Sequence, residues 1–121
     1  MFKDALQLHL DSIQKKDLDS FSSTISEDTI TLIMMNGTII DDRNKFMEFH
    51  KDWFSDEDWK LNYEIIRMDE TDKMAYALLA VHYEDIDIEG KPVFMKYYLN
   101  LIFKKYKENW LLVFDQNTKS R

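Results

Sequence analysis

Residues 59–118 restrict the possible folds of this 121-residue chain more than any other stretch. They hold four long β-rich segments: Trp59 to Met68, Met74 to Glu84, Val93 to Lys104 and Trp110 to Thr118. The turns between them, Asp69 to Lys73, Asp85 to Pro92 and Lys105 to Asn109, are too short for a crossover helix, so neighbours pair antiparallel. Helical periodicity is confined to the residues before them. Helices first and sheet last make an α+β protein rather than a parallel βαβ fold.

The helices announce themselves by spacing. Phe2, Leu6, Leu10 and Ile13 line one face of a first helix that ends near Lys15-Lys16. Asp17 caps a short second helix reaching about Ile25, with Leu18 and Phe21 turned inward. Thr29 to Met35 reads as a strand, Asn36-Gly37 as a tight turn and Thr38 to Ile40 as a short returning strand. Asp41 or Asp42 then caps a helix whose stripe is Phe46, Phe49, His50, Trp53 and Phe54. A histidine amid aromatics must find a hydrogen-bond partner or border a polar cavity.

Composition narrows the partners. Seven more acidic than basic residues give a formal charge of −7, which repels phosphate backbones and anionic headgroups, so neither nucleic acid nor membrane is an expected partner. Lys104, Lys105 and Lys107 read as a solvated turn. The absence of cysteine excludes thiolate chemistry and a disulfide framework. Two glycines and one proline leave little linker, so residues 1–121 are expected to form a single domain. The N-terminus opens directly on a charged helix, which predicts neither a signal peptide nor a membrane span and a cytoplasmic location by default.

Strand parity adds a prediction about assembly. Met74, Tyr76, Leu78, Ala80 and His82 stand opposite Ala75, Ala77, Leu79, Val81 and Tyr83, so both faces of that segment are apolar. An outer face that stays apolar calls for a covering partner, and a homodimer is expected.

These residues resemble the nuclear transport factor 2-like superfamily, in particular its SnoaL-like bacterial members. The resemblance spans nearly the whole chain through the paired N-terminal helices, the Asn36-Gly37 turn, the capped helix and the ending Trp110 to Thr118. It implies a cystatin-like cone, in which a strongly curved antiparallel sheet wraps a long helix and encloses a pocket. Ketosteroid isomerase, scytalone dehydratase and polyketide cyclases line such pockets with Asp, His and Tyr for proton transfer. Other members bind small molecules without chemistry, or only assemble.

Met47 to Phe54 is also similar to a segment of the calcium/calmodulin-dependent protein kinase II association domain. That likeness matches His50 to a pocket histidine, and Leu78, Leu101 and Asn117 to three pocket arginines. It implies that Tyr76, His82, Tyr97, Asp115, Leu111 and Val113 also face inward. The resulting pocket is mostly apolar, with His50, Trp53, Tyr76, Leu78, Leu101 and Asn117 as candidate ligand contacts. Trp53, Trp59 and Trp110 otherwise read as core or dimer anchors.

Three functions fit that pocket. The first is binding of a small apolar or amphipathic molecule. The second is a cofactor-free isomerase, dehydratase or cyclase, with Asp115 as base, Tyr97 or Tyr76 as proton donor, and His82 or His50 as the alternative base. The third is an assembly module whose pocket is filled by its own side chains. Structural roles for the same groups compete, since a buried Asp can simply accept a core hydrogen bond. No cofactor is implied. A metal site is not expected either, because the three histidines lie on separate elements without ligand spacing. Asp85, Asp87, Glu89 and Gly90 imitate the start of a calcium loop, but Lys96 stands where its closing glutamate belongs.

Overall fold

The computed structural model describes residues 1–121. The stripe spacing yields helix α1 (Phe2–Gln14), with Phe2, Leu6, Leu10 and Ile13 buried together with His9. Helix α2 (Leu18–Ser23) begins where the Asp17 carboxylate accepts the Ser20 N–H at 3.2 Å and the Ser20 hydroxyl at 2.8 Å. Helix α3 (Arg43–Ser55) begins at Asp42, which accepts the Lys45 N–H at 3.1 Å and so takes the cap over Asp41. Such caps satisfy otherwise orphaned N–H groups and are worth about 1 kcal/mol each.

Strands β1 (Thr31–Ile33), β2 (Ile39–Ile40), β3 (Lys60–Glu70), β4 (Met74–Ile86), β5 (Pro92–Tyr106) and β6 (Asn109–Lys119) form one curved six-stranded sheet in the order β2-β1-β6-β5-β4-β3. The four late strands pair antiparallel in sequence, as their short turns require. Gly37 and Gly90 hold positive φ (88° and 79°) in two of the turns. Strand β1 is shorter than its apolar run suggests. It joins β6 in parallel, with Leu32 beside Asp115, the one pairing that residue spacing did not foreshadow.

One face of the sheet carries the core. Ala75, Ala77, Leu79 and Val81 of β4 alternate inward and meet Tyr97, Leu99, Leu101 and Phe103 of β5. Phe2 packs edge-on against Phe103 at 5.2 Å and Trp110 at 5.5 Å, fixing α1 across the sheet. Phe21 of α2 stacks on Phe46 and His50 of α3, with ring centroids 5.8 and 4.6 Å apart. Each fully buried ring of this kind contributes roughly 1.5–3 kcal/mol by leaving water.

The acidic loop after α3 is pinned by aromatics. Trp59 stacks on Trp53 at 4.1 Å and donates its indole N–H to the Trp53 carbonyl at 2.7 Å. Lys16, in the left-handed region at φ 55°, lays its ammonium 4.0 Å from the Trp59 ring and donates to the Asp56 carbonyl. This is a cation–π role rather than the dipole role that lysine at a helix end suggests. No helix is long and apolar enough to cross a membrane.

The inward parity on β4 departs from expectation. Antiparallel partners share a face, and Leu101 pairs with Ala77 rather than Leu78. Tyr76, Leu78 and His82 therefore point outward, beside Tyr98, Asn100 and Ile102. On β6 a bulge between the pairs Ile102–Phe114 and Phe103–Leu112 inserts Val113 as an extra residue. Leu112 takes the inward place and Leu111, paired with Lys104, turns out. Beyond the bulge Asp115 and Asn117 face inward as expected.

Candidate functional site

Between α3 and the inner sheet face lies a cavity of about 240 Å³. Its walls are mostly apolar: Leu32, Met34 and Met35 at one side, Phe49 and Trp53 from α3, and Leu61, Met95 and Leu99 from the sheet. His50, Tyr83, Tyr97, Asp115 and Asn117 supply the polar groups. Along β5 the inner face passes from Phe103 and Leu101, fully buried in the core, to Leu99 and Tyr97, which line the cavity.

His50 reaches the cavity from the third turn of α3. Its Nδ1 lies 2.8 Å from the Phe46 carbonyl, which can only accept, so Nδ1 carries the proton and Nε2 keeps its lone pair. Burial lowers the imidazole pKa to about 4, against the raising effect of the bond to Phe46, so the ring is neutral at pH 7. Nε2 is left as an acceptor without a protein partner.

Asp115 sits on β6 between β1 and β5, which is why it is buried. Burial raises its pKa to about 7, while the Asn117 amide opposes the rise by donating to Oδ1 at 3.0 Å. The second Asn117 amide N–H goes to the Ile33 carbonyl at 3.1 Å, a contact that the parallel β1–β6 pairing makes possible. Asn117 thus has no N–H left for a ligand. Tyr97, opposite Lys119 on the same face, has its hydroxyl pKa raised by burial first and then by Asp115 and Tyr83.

Tyr83 accepts the Trp53 indole N–H at 3.0 Å and donates to Asp85 Oδ2 at 3.5 Å. Its pKa is pushed up to about 12, chiefly by burial.

The expected site residues divide cleanly. His50, Trp53, Tyr97, Asp115 and Asn117 meet at the cavity. Leu101 points inward but is packed solid in the core beneath it. Tyr76 and Leu78 border a groove of about 720 Å³ on the outer face, and His82 lies outside beside Lys96. None of these three can touch what the cavity holds. Tyr83 and Phe49 were not among the candidate contacts. Alternation along β4 gives only a weak signal for Tyr83, the polar pair His82 and Glu84 at its end, and the pairing of Ala77 with Leu101 is what puts Tyr83 on the inner face.

A further polar centre lies under α1. His9 is fully buried, its Nδ1 is 2.7 Å from Thr24 Oγ1, and that hydroxyl donates to the Phe21 carbonyl. Nδ1 is therefore the protonated nitrogen, and Nε2 is buried with no partner. Burial, and then His50, lower the His9 pKa to about 3.

The comparisons agree on the fold. A family model for the SnoaL-like domain matches residues 3–116. A provisionally named dehydratase of the nuclear transport factor 2-like family from Streptomyces avermitilis superposes with a TM-score of 0.81 at 9% identity, covering 99% of this chain and 94% of that one. The association domain of the C. elegans calcium/calmodulin-dependent kinase II gives 0.71 at 17% identity, covering 98% and 92%. A nuclear transport factor 2-like protein of unknown function from Shewanella oneidensis gives 0.75 at 14%, covering 98% and 96%. No curated protein matches the chain in sequence.

Proposed function

The chain belongs to the SnoaL-like domain family, and from that premise we propose that it binds a small, largely apolar molecule in the cone cavity and forms a homodimer through its outer sheet face. The cavity supports the first half. About 240 Å³ is left between side chains, in a wall where His50 Nε2 and Asp115 Oδ2 have no partner of their own. A thermal-shift screen of small metabolites tests it. A ligand at a hundred times its dissociation constant raises stability by about 2.7 kcal/mol, a shift of several degrees. Leu99→Trp, which fills the cavity, abolishes the shift measured against its own unliganded melting temperature. A blank across a broad panel moves the function to an assembly module.

Proton transfer is a second possibility, favoured by one observation. A carboxyl group with a pKa near 7 sits in the same cavity as the Tyr97 hydroxyl, a pairing suited to a base and a donor in a cofactor-free isomerase, dehydratase or cyclase. Any ligand found is then assayed for turnover, and loss of turnover with retained binding in Asp115→Asn assigns the base.

The dimer rests on Tyr76, Leu78, Tyr98 and Ile102, which line the outer groove between the polar residues Asn100 and Gln116 and the acidic Asp69 and Glu70. Introducing charge there with Ile102→Glu leaves the inner cavity untouched. Light scattering is expected to read a dimer for the native chain and a monomer for the variant.

A further inference from the structure

We propose that the cavity takes a small organic ammonium ion, with its positive head against Asp115 and its apolar body among Phe49, Trp53, Tyr83 and Tyr97. This rests on the pocket-binding function above and names the ligand class. Three observations carry it. The first is the hydrogen-bond inventory of the wall. Both Asn117 N–H groups and the Trp53 indole N–H are already committed, to Ile33, Asp115 and Tyr83. What remains is Asp115 Oδ2, His50 Nε2 and the Asn117 carbonyl oxygen, all acceptors once Asp115 is ionised, with the Tyr97 hydroxyl then the one group able to donate. A ligand rich in N–H or positively polarised C–H fits such a wall, and a carboxylate or phosphate does not.

The second is charge. No lysine or arginine lines the cavity, and its one carboxyl group, Asp115, is buried. Asp85, in contact with the Tyr83 hydroxyl, and the chain's charge of −7 add a potential that draws cations in. The third is the aromatic lining. Four aromatic side chains and one carboxyl group line the same cavity, the composition by which proteins hold alkylammonium groups, since a ring face attracts a cation. The soft sulfurs of Met34, Met35 and Met95 complete an adaptable wall.

Binding is then linked to pH. The titratable groups facing Asp115 are His50 from α3, Tyr83 from β4 and Tyr97 from β5. The histidine and both tyrosines are neutral across pH 5.5 to 8, so Asp115 alone sets the dependence.

Isothermal titration with benzylamine, benzyl alcohol and benzoate, three probes of matched shape and different charge, tests the assignment. At pH 8 benzylamine is expected to bind at least about tenfold tighter than benzyl alcohol, and benzoate weakest. Below pH 7 the amine affinity falls about tenfold per unit as the ionised fraction of Asp115 falls, while the alcohol affinity stays level. Titration of the native chain at pH 6.5 in two buffers of different ionisation enthalpy should show roughly 0.8 proton released per amine bound. Asp115→Asn removes the amine preference and keeps the alcohol.

Equal binding of amine and alcohol, tighter binding of benzoate, or no proton release overturns the ammonium assignment and leaves the pocket standing. If none of the three probes binds, the ammonium assignment falls. The pocket itself falls only if the wider metabolite screen is blank too.

Discussion

Asp115→Asn is expected to stabilise the unliganded protein by about 4 kcal/mol at pH 8. The carboxyl has an unfolded pKa of 3.8 and a folded one of about 7, raised by burial. Its folded pKa lies above the unfolded one, so the folded state holds the proton more tightly. Stability linked to this group is fully present below pH 3.8 and is lost as pH rises through 7, where the folded protein must carry a buried charge. The amide keeps the carboxyl's shape, and its oxygen still accepts from Asn117. It never ionises, so the cost disappears. The gain over the native chain therefore grows from near zero at pH 4, through less than half its final value at pH 5, to a plateau above pH 7. Urea unfolding at pH 4, 5, 7 and 8 measures it. A gain of equal size at every pH would assign the effect to packing, and no gain at pH 8 would mean that the native carboxylate has a counter-charge the structure does not show. A site that costs this much when empty is better explained by what it binds than by what it holds together.

Some of this was visible in the residues alone, and the reason differs by element. The α3 stripe placed His50 and Trp53 correctly because a helix with one apolar face has only one way to lie on a sheet. Strand β5 was equally legible, since Lys96, Asn100 and Lys104 mark its outer face and leave Tyr97 inside. Strand β4 was not. Its two faces are both apolar up to the polar pair His82 and Glu84 at one end, so alternation carries little parity, and the pairing of Ala77 with Leu101 decides it. That one-residue step took Tyr76, Leu78 and His82 out of the site and put Tyr83 in. Strand β6 hid a bulge at Val113 that shifts Leu111 and Leu112 but leaves Asp115 and Asn117 in phase. The parallel docking of β1 on β6 joins residues some eighty positions apart, and no local pattern encodes it. It is this docking that brings the Ile33 carbonyl to Asn117 and so leaves the cavity short of donors.

The histidines set the acid limb of the stability curve. His9 and His50 have folded pKa values of about 3 and about 4, below the ordinary 6.5, chiefly because burial penalises the imidazolium. Here the unfolded chain binds the protons more tightly. Stability rises with pH through this window, and it is lost as pH falls from 6.5 towards the folded values. Between pH 4 and 6.5 unfolding therefore takes up two protons at the histidines and releases one from Asp115. The net is one proton, about 1.4 kcal/mol of stability lost for each unit of acidification. The maximum falls near pH 7, where the fading proton uptake at the histidines equals the release from Asp115. Two variants separate the contributions. Asp115→Asn removes the opposing proton and doubles the acid slope to about 2.7 kcal/mol per unit, whereas His50→Leu removes one histidine and flattens it to about zero. Chemical unfolding at half-unit steps of pH reads all three slopes. A native chain equally stable at pH 4.5 and 6 would mean that one of His9 and His50 is not buried as a neutral ring.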